Sequence, residues 1–124
     1  MRDFRELKVW QKAHEMTLEL YRHTNSFPSE ERFGLRSQIR RSAISIGTNI
    51  AEGAGKMTHP EFARLLQIAL GSASGLEYEL LLARDLGYLN EDHYTELSAQ
   101  VIDVKRMLTG FIQYLYSNRT GTNG

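Results

Sequence analysis

The sequence predicts an all-α protein, an antiparallel up-down-up-down four-helix bundle. Three observations carry that expectation. Apolar residues recur at intervals of three and four along most of the 124 residues. The only two prolines stand beside interruptions of that rhythm, and short polar or glycine-containing turns divide it into four stretches. One domain over residues 1–117 is expected, with helices at about 5–24, 30–54, 59–87 and 91–117 and a flexible polar tail over 118–124. That length supports one ordinary core and not two.

The first stretch opens with Asp3 and Glu6 in a capping-box-like arrangement. From Leu7 to His23 one arc holds Leu7, Val9, Trp10, Ala13, Met16, Leu18, Leu20 and Tyr21. Trp10 is expected to anchor a core or an interface, and His14 faces the same apolar arc. Phe27-Pro28 ends this helix, because Pro28 has no amide donor and restricts Phe27.

Ser29, Glu30 and Glu31 suit the start of the second helix: a capping hydroxyl followed by anions at the positive end of the dipole. Leu35, Ile39, Ala43, Ile46 and Ile50 form its core stripe, with Gln38, Arg41, Ser45 and Glu52 on a polar stripe beside it. Gly53, Gly55 and Lys56 break it. Thr58 and Glu61 form a capping box for the third helix, with Pro60 in the first turn. Its seam runs Phe62, Leu66, Ala69, Ala73, Leu76, Leu80 and Ala83, and Gly87 suits a left-handed cap. The fourth helix has a staple and cap in Leu89, Asn90 and Tyr94, and a seam of Tyr94, Leu97, Val101, Val104, Leu108, Phe111 and Leu115.

More apolar residues are present than one bundle core absorbs. Leu65, Ile68, Leu70, Leu81, Leu82 and Leu86 lie off the third seam, and Phe33, Ile44 and Ala51 lie opposite the second. Gly71 and Gly75 stand within the third helix, where two glycines cost about 2 kcal/mol relative to alanine. Close approach of another helix backbone is the simplest return for that cost. An oligomer interface is therefore expected at Phe33, Ile44, Ala51, Leu65, Ile68, Gly71, Gly75 and Leu82.

No catalytic residue, metal or cofactor is expected, and the chain does not read as an enzyme. Cysteine is absent, which removes thiol chemistry and thiolate metal sites. None of His14, His23, His59 or His93 has a glutamate three residues before it, as a bundle di-iron site requires. His59 and His93 are expected in ordinary exposed positions. Glu77 and Arg84, seven residues apart, suit a buried charge network with Arg41 or Glu52 that fixes register. The 15 basic and 15 acidic side chains balance, so any polyanion site must be a local patch. Arg32, Arg36 and Arg40 form one basic edge, and Arg36, Arg40, Arg41 and Lys56 are the candidate contacts to RNA or DNA phosphate. No segment reads as a membrane span or secretory leader, so a cytoplasmic location is expected.

The block Ser37–Gly53, SQIRRSAISIGTNIAEG, is the most distinctive part of the chain. With Leu7-Lys8-Val9-Trp10, Ala13, Phe27-Pro28, Phe33-Gly34-Leu35, Gly71-Ser72 and Leu76-Glu77, it resembles the bacterial four-helix-bundle proteins encoded by intervening sequences of the large-subunit rRNA gene. The resemblance covers about Phe4 to Tyr116. It implies an antiparallel bundle assembled as a ring of five. A similar fold serves as the accessory variability determinant of diversity-generating retroelements, which binds reverse transcriptase and nucleic acid. Gly47 stands where relatives usually have proline and Gly75 where they usually have glutamate; the accessory proteins are also strongly basic, whereas this chain is neutral. The expected function is a non-enzymatic homopentameric scaffold or interaction module. The expected partners are further copies of itself, with RNA, DNA or another protein as candidates beyond them. The alternative is a nucleic-acid-binding accessory subunit of a ribonucleoprotein or reverse transcriptase.

Overall fold

The structure, a computed structural model, describes residues 2–118. It is an all-α, four-helix bundle: α1 Lys8–Thr24, α2 Leu35–Ala54, α3 His59–Asp85 and α4 Glu91–Ser117. Cross-helix pairs show that neighbours run antiparallel. Gln38 meets Glu79 and Ser45 meets Ser72 between α2 and α3, while Glu77 meets Lys105 and Gln67 meets Tyr116 between α3 and α4. Backbone approach is closest between sequential neighbours and between α1 and α4, so each helix has two adjacent partners.

The core follows the periodic seams. All seven α3 seam residues are buried, as are Ile39, Ala43, Ile46 and Ile50 of α2 and Leu97, Val101, Val104, Leu108 and Leu115 of α4. Each large apolar side chain fully buried in this way stabilises the fold by about 1.5–3 kcal/mol. Ile112 joins the core, while Tyr94 and Phe111 pack against it from its edge. In α1 the buried set is Val9, Ala13, Met16, Leu20 and Thr24; Leu18 points outward.

The helix starts differ from expectation in two places. Asp3 caps a short 3-10 turn, Phe4–Glu6, and α1 begins only at Lys8 after extended Leu7. Ser29–Glu31 likewise forms a 3-10 turn, and α2 begins at Leu35. Here the cap is Glu31, whose Oε1 accepts from the Leu35 amide at 2.8 Å and whose Oε2 accepts from the Tyr88 hydroxyl at 2.9 Å. Gly34 permits this, since a Cβ there would lie 2.5 Å from Glu31 Oε1. The later caps follow the sequence pattern. Thr58 accepts from the Glu61 amide, Asn90 accepts from the His93 amide, and Gly87 takes φ +82° to end α3. The expected tail falls, beyond Asn118, outside the described residues.

Candidate functional site

Two surfaces gather the residues that the core does not absorb. The first is a groove between α1 and α2. Its upper part, about 340 Å³, is lined by Trp10, His14, Ala43, Ile44, Gly47 and Ala51 among others. Its lower part, also about 340 Å³, is lined by Tyr21, Arg32, Phe33, Arg36, Arg40 and Arg41, and shares Ile44 with the upper part. Phe33 is 85% exposed and Ile44 47% exposed. Trp10 is half-buried and stacks on His14, with ring centroids 4.8 Å apart and planes within 9°. His14 is therefore an exposed partner of the tryptophan and no part of the core.

The arginines of this groove have unequal freedom. Arg40 is a structural clamp. Its Nε donates to Thr24 Oγ1 at 3.0 Å, and its Nη2 donates to the Tyr21 carbonyl and to Asn25 Oδ1, each at 3.1 Å. The guanidinium also lies over the Tyr21 ring, 4.2 Å from its centroid. It thus satisfies the carbonyl end of α1, where a cation also complements the helix dipole. Burial, then neighbouring Arg36, pull its pKa below the ordinary arginine value. Arg41 is exposed and donates to Ser37 Oγ at 3.1 Å; Arg32 lies over the Phe33 ring at 5.3 Å. Among the described residues, Arg32, Arg36 and Arg41 have no carboxylate within ion-pair distance. Lys56 follows the far end of α2, 15 residues beyond Arg41, about 22 Å along a helix axis. The structure therefore groups Arg36, Arg40 and Arg41 and separates Lys56 from them.

The second surface is the outer side of α3. Ile68 is 44% exposed, Leu82 is half-buried, Gly71 is exposed and Gly75 is half-buried beside Glu79. Among the described residues, a Cβ built on Gly71 meets nothing within 4 Å beyond the adjoining helix backbone. Leu65 differs from these neighbours: it is only 5% exposed, covered by its own chain where it packs over Gly53. The expected interface set is thus divided, with Phe33, Ile44 and Ala51 along the α1–α2 groove and Ile68, Gly71, Gly75 and Leu82 on α3.

Between these surfaces runs a polar seam. Ser45 and Ser72 hydroxyls meet at 2.8 Å, Asn49 Nδ2 donates to the Ser45 carbonyl, and Gln38 Nε2 donates to Glu79 Oε2 at 3.3 Å. Burial raises the Glu79 pKa above the ordinary glutamate value, partly offset by hydrogen bonds from Ser42 and Gln38. Glu77 and Arg84 do not join this seam. They face α4, where Glu77 pairs with Lys105 at 2.7 Å and Arg84 lies over Tyr94 and within 3.8 Å of Glu91. The reason is register: positions 72 and 79 face α2, which turns 77 and 84 toward the other neighbour.

His59 departs most from its expected role. It is buried, 5% exposed, and its Nδ1 meets the Asn118 carbonyl at 2.6 Å, tying the start of α3 to the end of α4. Among the described residues, no three His, Asp or Glu side chains are grouped as metal ligands, and no helix is long and apolar enough to cross a membrane.

Comparison with known proteins adds the lineage. The family model of the 23S rRNA-intervening sequence protein matches residues 5–110, most of the bundle. The chain belongs to that family. Among solved structures, this family member is similar to a Bacteroides thetaiotaomicron protein of unknown function from the S23 ribosomal protein family, solved at 1.70 Å. The two are 27% identical with a TM-score of 0.78, over 85% of this chain and 95% of the other. No curated protein matches the chain. Neither similarity names an activity, so the intervening-sequence family gives lineage and architecture, and function has to be argued from surfaces.

Proposed function

We propose that this intervening-sequence family protein is a non-enzymatic, oligomeric helical scaffold or interaction module, a homopentamer as the family resemblance implies. The observation that carries this reading is Gly71. A mid-helix glycine costs about 0.5–1 kcal/mol relative to alanine. At Gly53 the chain itself gives the reason, since a Cβ there would collide with Phe62. At Gly71 no described residue beyond the adjoining helix backbone comes within 4 Å of that position, and exposed Ile68 lies one turn away. A second copy whose backbone approaches α3 accounts for both the missing side chain and the uncovered apolar one. The test is the native mass of the wild type and of Gly71→Leu, which has room for the new side chain within one subunit and none against a close neighbour.

A nucleic-acid-binding accessory role, in a ribonucleoprotein or with a reverse transcriptase, is the second reading. The cluster of Arg32, Arg36 and Arg41 beside exposed Phe33 favours it. The even charge balance and the structural use of Arg40 leave it behind the scaffold reading. Binding of mixed-sequence RNA at low salt, measured by fluorescence anisotropy, tests it.

A further inference from the structure

We infer that the groove between α1 and α2 docks an amphipathic α-helix of a protein partner, with the partner's acidic end against Arg32, Arg36 and Arg41. This assignment rests on reading the chain as an interaction module, and it gives that module a partner of stated chemistry.

The groove has two chemically distinct halves in line. The upper half is apolar and shallow, floored by Ala43 and Gly47 and walled by Trp10 and Ile44. Its floor is made of small residues, and a Cβ on Gly47 would stand in ordinary contact with Trp10, 3.8 Å from Nε1, so any longer side chain there would occupy the trough. The lower half is cationic. None of Arg32, Arg36 and Arg41 has a carboxylate within ion-pair distance among the described residues; of the two acids just before Arg32, Glu31 is engaged by Leu35 and Tyr88, and Glu30 acts on Tyr88 as well. Ile44 belongs to both halves, so the two are continuous.

That pattern matches helix-in-groove recognition, in which apolar side chains one turn apart fill the trough and charges at one end set orientation. From Leu35 to Ala51 the groove follows about 24 Å of helix, room for about four turns of a partner. A nucleic acid would use the arginines and the aromatic rings but would leave the aliphatic trough of Ile44, Ala43 and Ala51 uncovered. An acidic amphipathic helix covers both halves. Acids in its first turn also complement its own dipole, so the partner runs parallel to α2.

Trp10 is the only tryptophan in the chain and lines the trough, so its emission reports occupancy directly. The probe is a synthetic 16-residue, tryptophan-free helix with three glutamates in its first turn and leucines along one face. A second peptide carries lysines in place of the glutamates. The glutamate peptide should shift Trp10 emission saturably, with half-saturation below about 100 µM at low salt. The lysine peptide should bind at least about tenfold more weakly, and Arg36→Glu/Arg41→Glu should reverse the preference. Ile44→Glu should weaken both peptides by about tenfold or more while circular dichroism stays helical.

Equal binding of the two peptides, or no emission change with either, overturns the assignment. A mixed-sequence 20-nucleotide RNA that displaces the glutamate peptide and binds more tightly also overturns it, in favour of nucleic acid. So does a wild type that binds neither peptide and loses native mass on Ile44→Glu, because the groove then belongs to a second copy. Light scattering on the same samples keeps the two ideas apart. An intact oligomer that ignores the peptide removes the docking site alone, whereas a monomer that binds the peptide removes the scaffold reading alone.

Discussion

Gly53 lies so close beneath Phe62 that a Cβ on it would stand 2.6 Å from the ring's Cδ1. Both residues are buried, and Phe62 is among the largest side chains wholly inside the bundle. The last turn of α2 therefore meets the first turn of α3 backbone to ring, which draws the two helices together at the Gly55-Lys56 connection.

Gly53→Ala should consequently destabilise the protein by about 1–3 kcal/mol, the usual cost of forcing a methyl group into a filled core. Urea denaturation followed by circular dichroism measures this. A neutral result would mean that Phe62 moves aside freely and that the close approach is not a constraint.

Arg40 should behave as a structural residue and its neighbours as surface residues. Removing it leaves the Tyr21 carbonyl and Thr24 hydroxyl without their charged donor, at a cost of about 1–3 kcal/mol. Arg40→Lys should recover only part of this, since an ammonium cannot reproduce the fork or the stacking on Tyr21. Arg36→Ala and Arg41→Ala should each stay within about 0.5 kcal/mol of wild type. Thermal melts of the four variants compare them directly.

How far the sequence could be read depended on whether a residue's environment was set by its own helix. The α3 seam from Phe62 to Ala83 was legible because a three-and-four rhythm specifies one buried stripe regardless of what covers it. Capping at Thr58 and Asn90 was legible for the same local reason. Arg40 was not: Thr24 and Asn25 lie 16 and 15 residues away and meet it only after α1 folds back on α2. His59 looked like an ordinary exposed residue at a helix start until the end of α4, at Asn118, closed over it. Leu65 and Ile68 carried the same signal off the seam, yet Gly53 opens space for the first, while the second stays 44% exposed among the described residues. The candidate site was thus half readable: the surplus apolar residues and the arginine row were visible, but their division between two surfaces was not.

Glu79 gives the protein a predictable response to pH. Its folded pKa is raised, chiefly by burial, so folding favours the protonated form. The stability it contributes is fully present below the ordinary glutamate value of 4.5 and is lost as pH rises through the folded pKa. Glu79→Gln should be more stable than wild type at neutral pH and should lose that advantage on acidification toward 4.5. Melting temperatures across this range check the sign; an advantage that grows toward acid would contradict it.

If RNA or DNA binds at all, Arg36 and Arg41 should supply the phosphate contacts, and Lys56 should act independently of them. Arg36→Ala/Arg41→Ala would then weaken binding alike across sequences and reduce the slope of log affinity against log salt by about 1 to 2. Anisotropy titrations at several salt concentrations read both quantities.

If α3 meets another copy of the chain, as proposed, native mass reveals it. At micromolar concentration the wild type should appear as one discrete oligomer of five subunits. Gly71→Leu, whose side chain finds open space within its own subunit, should keep its helical circular dichroism and fall to a smaller mass. A wild type that stays monomeric, or a Gly71→Leu variant of unchanged oligomeric mass, would mean that α3 does not meet a second copy.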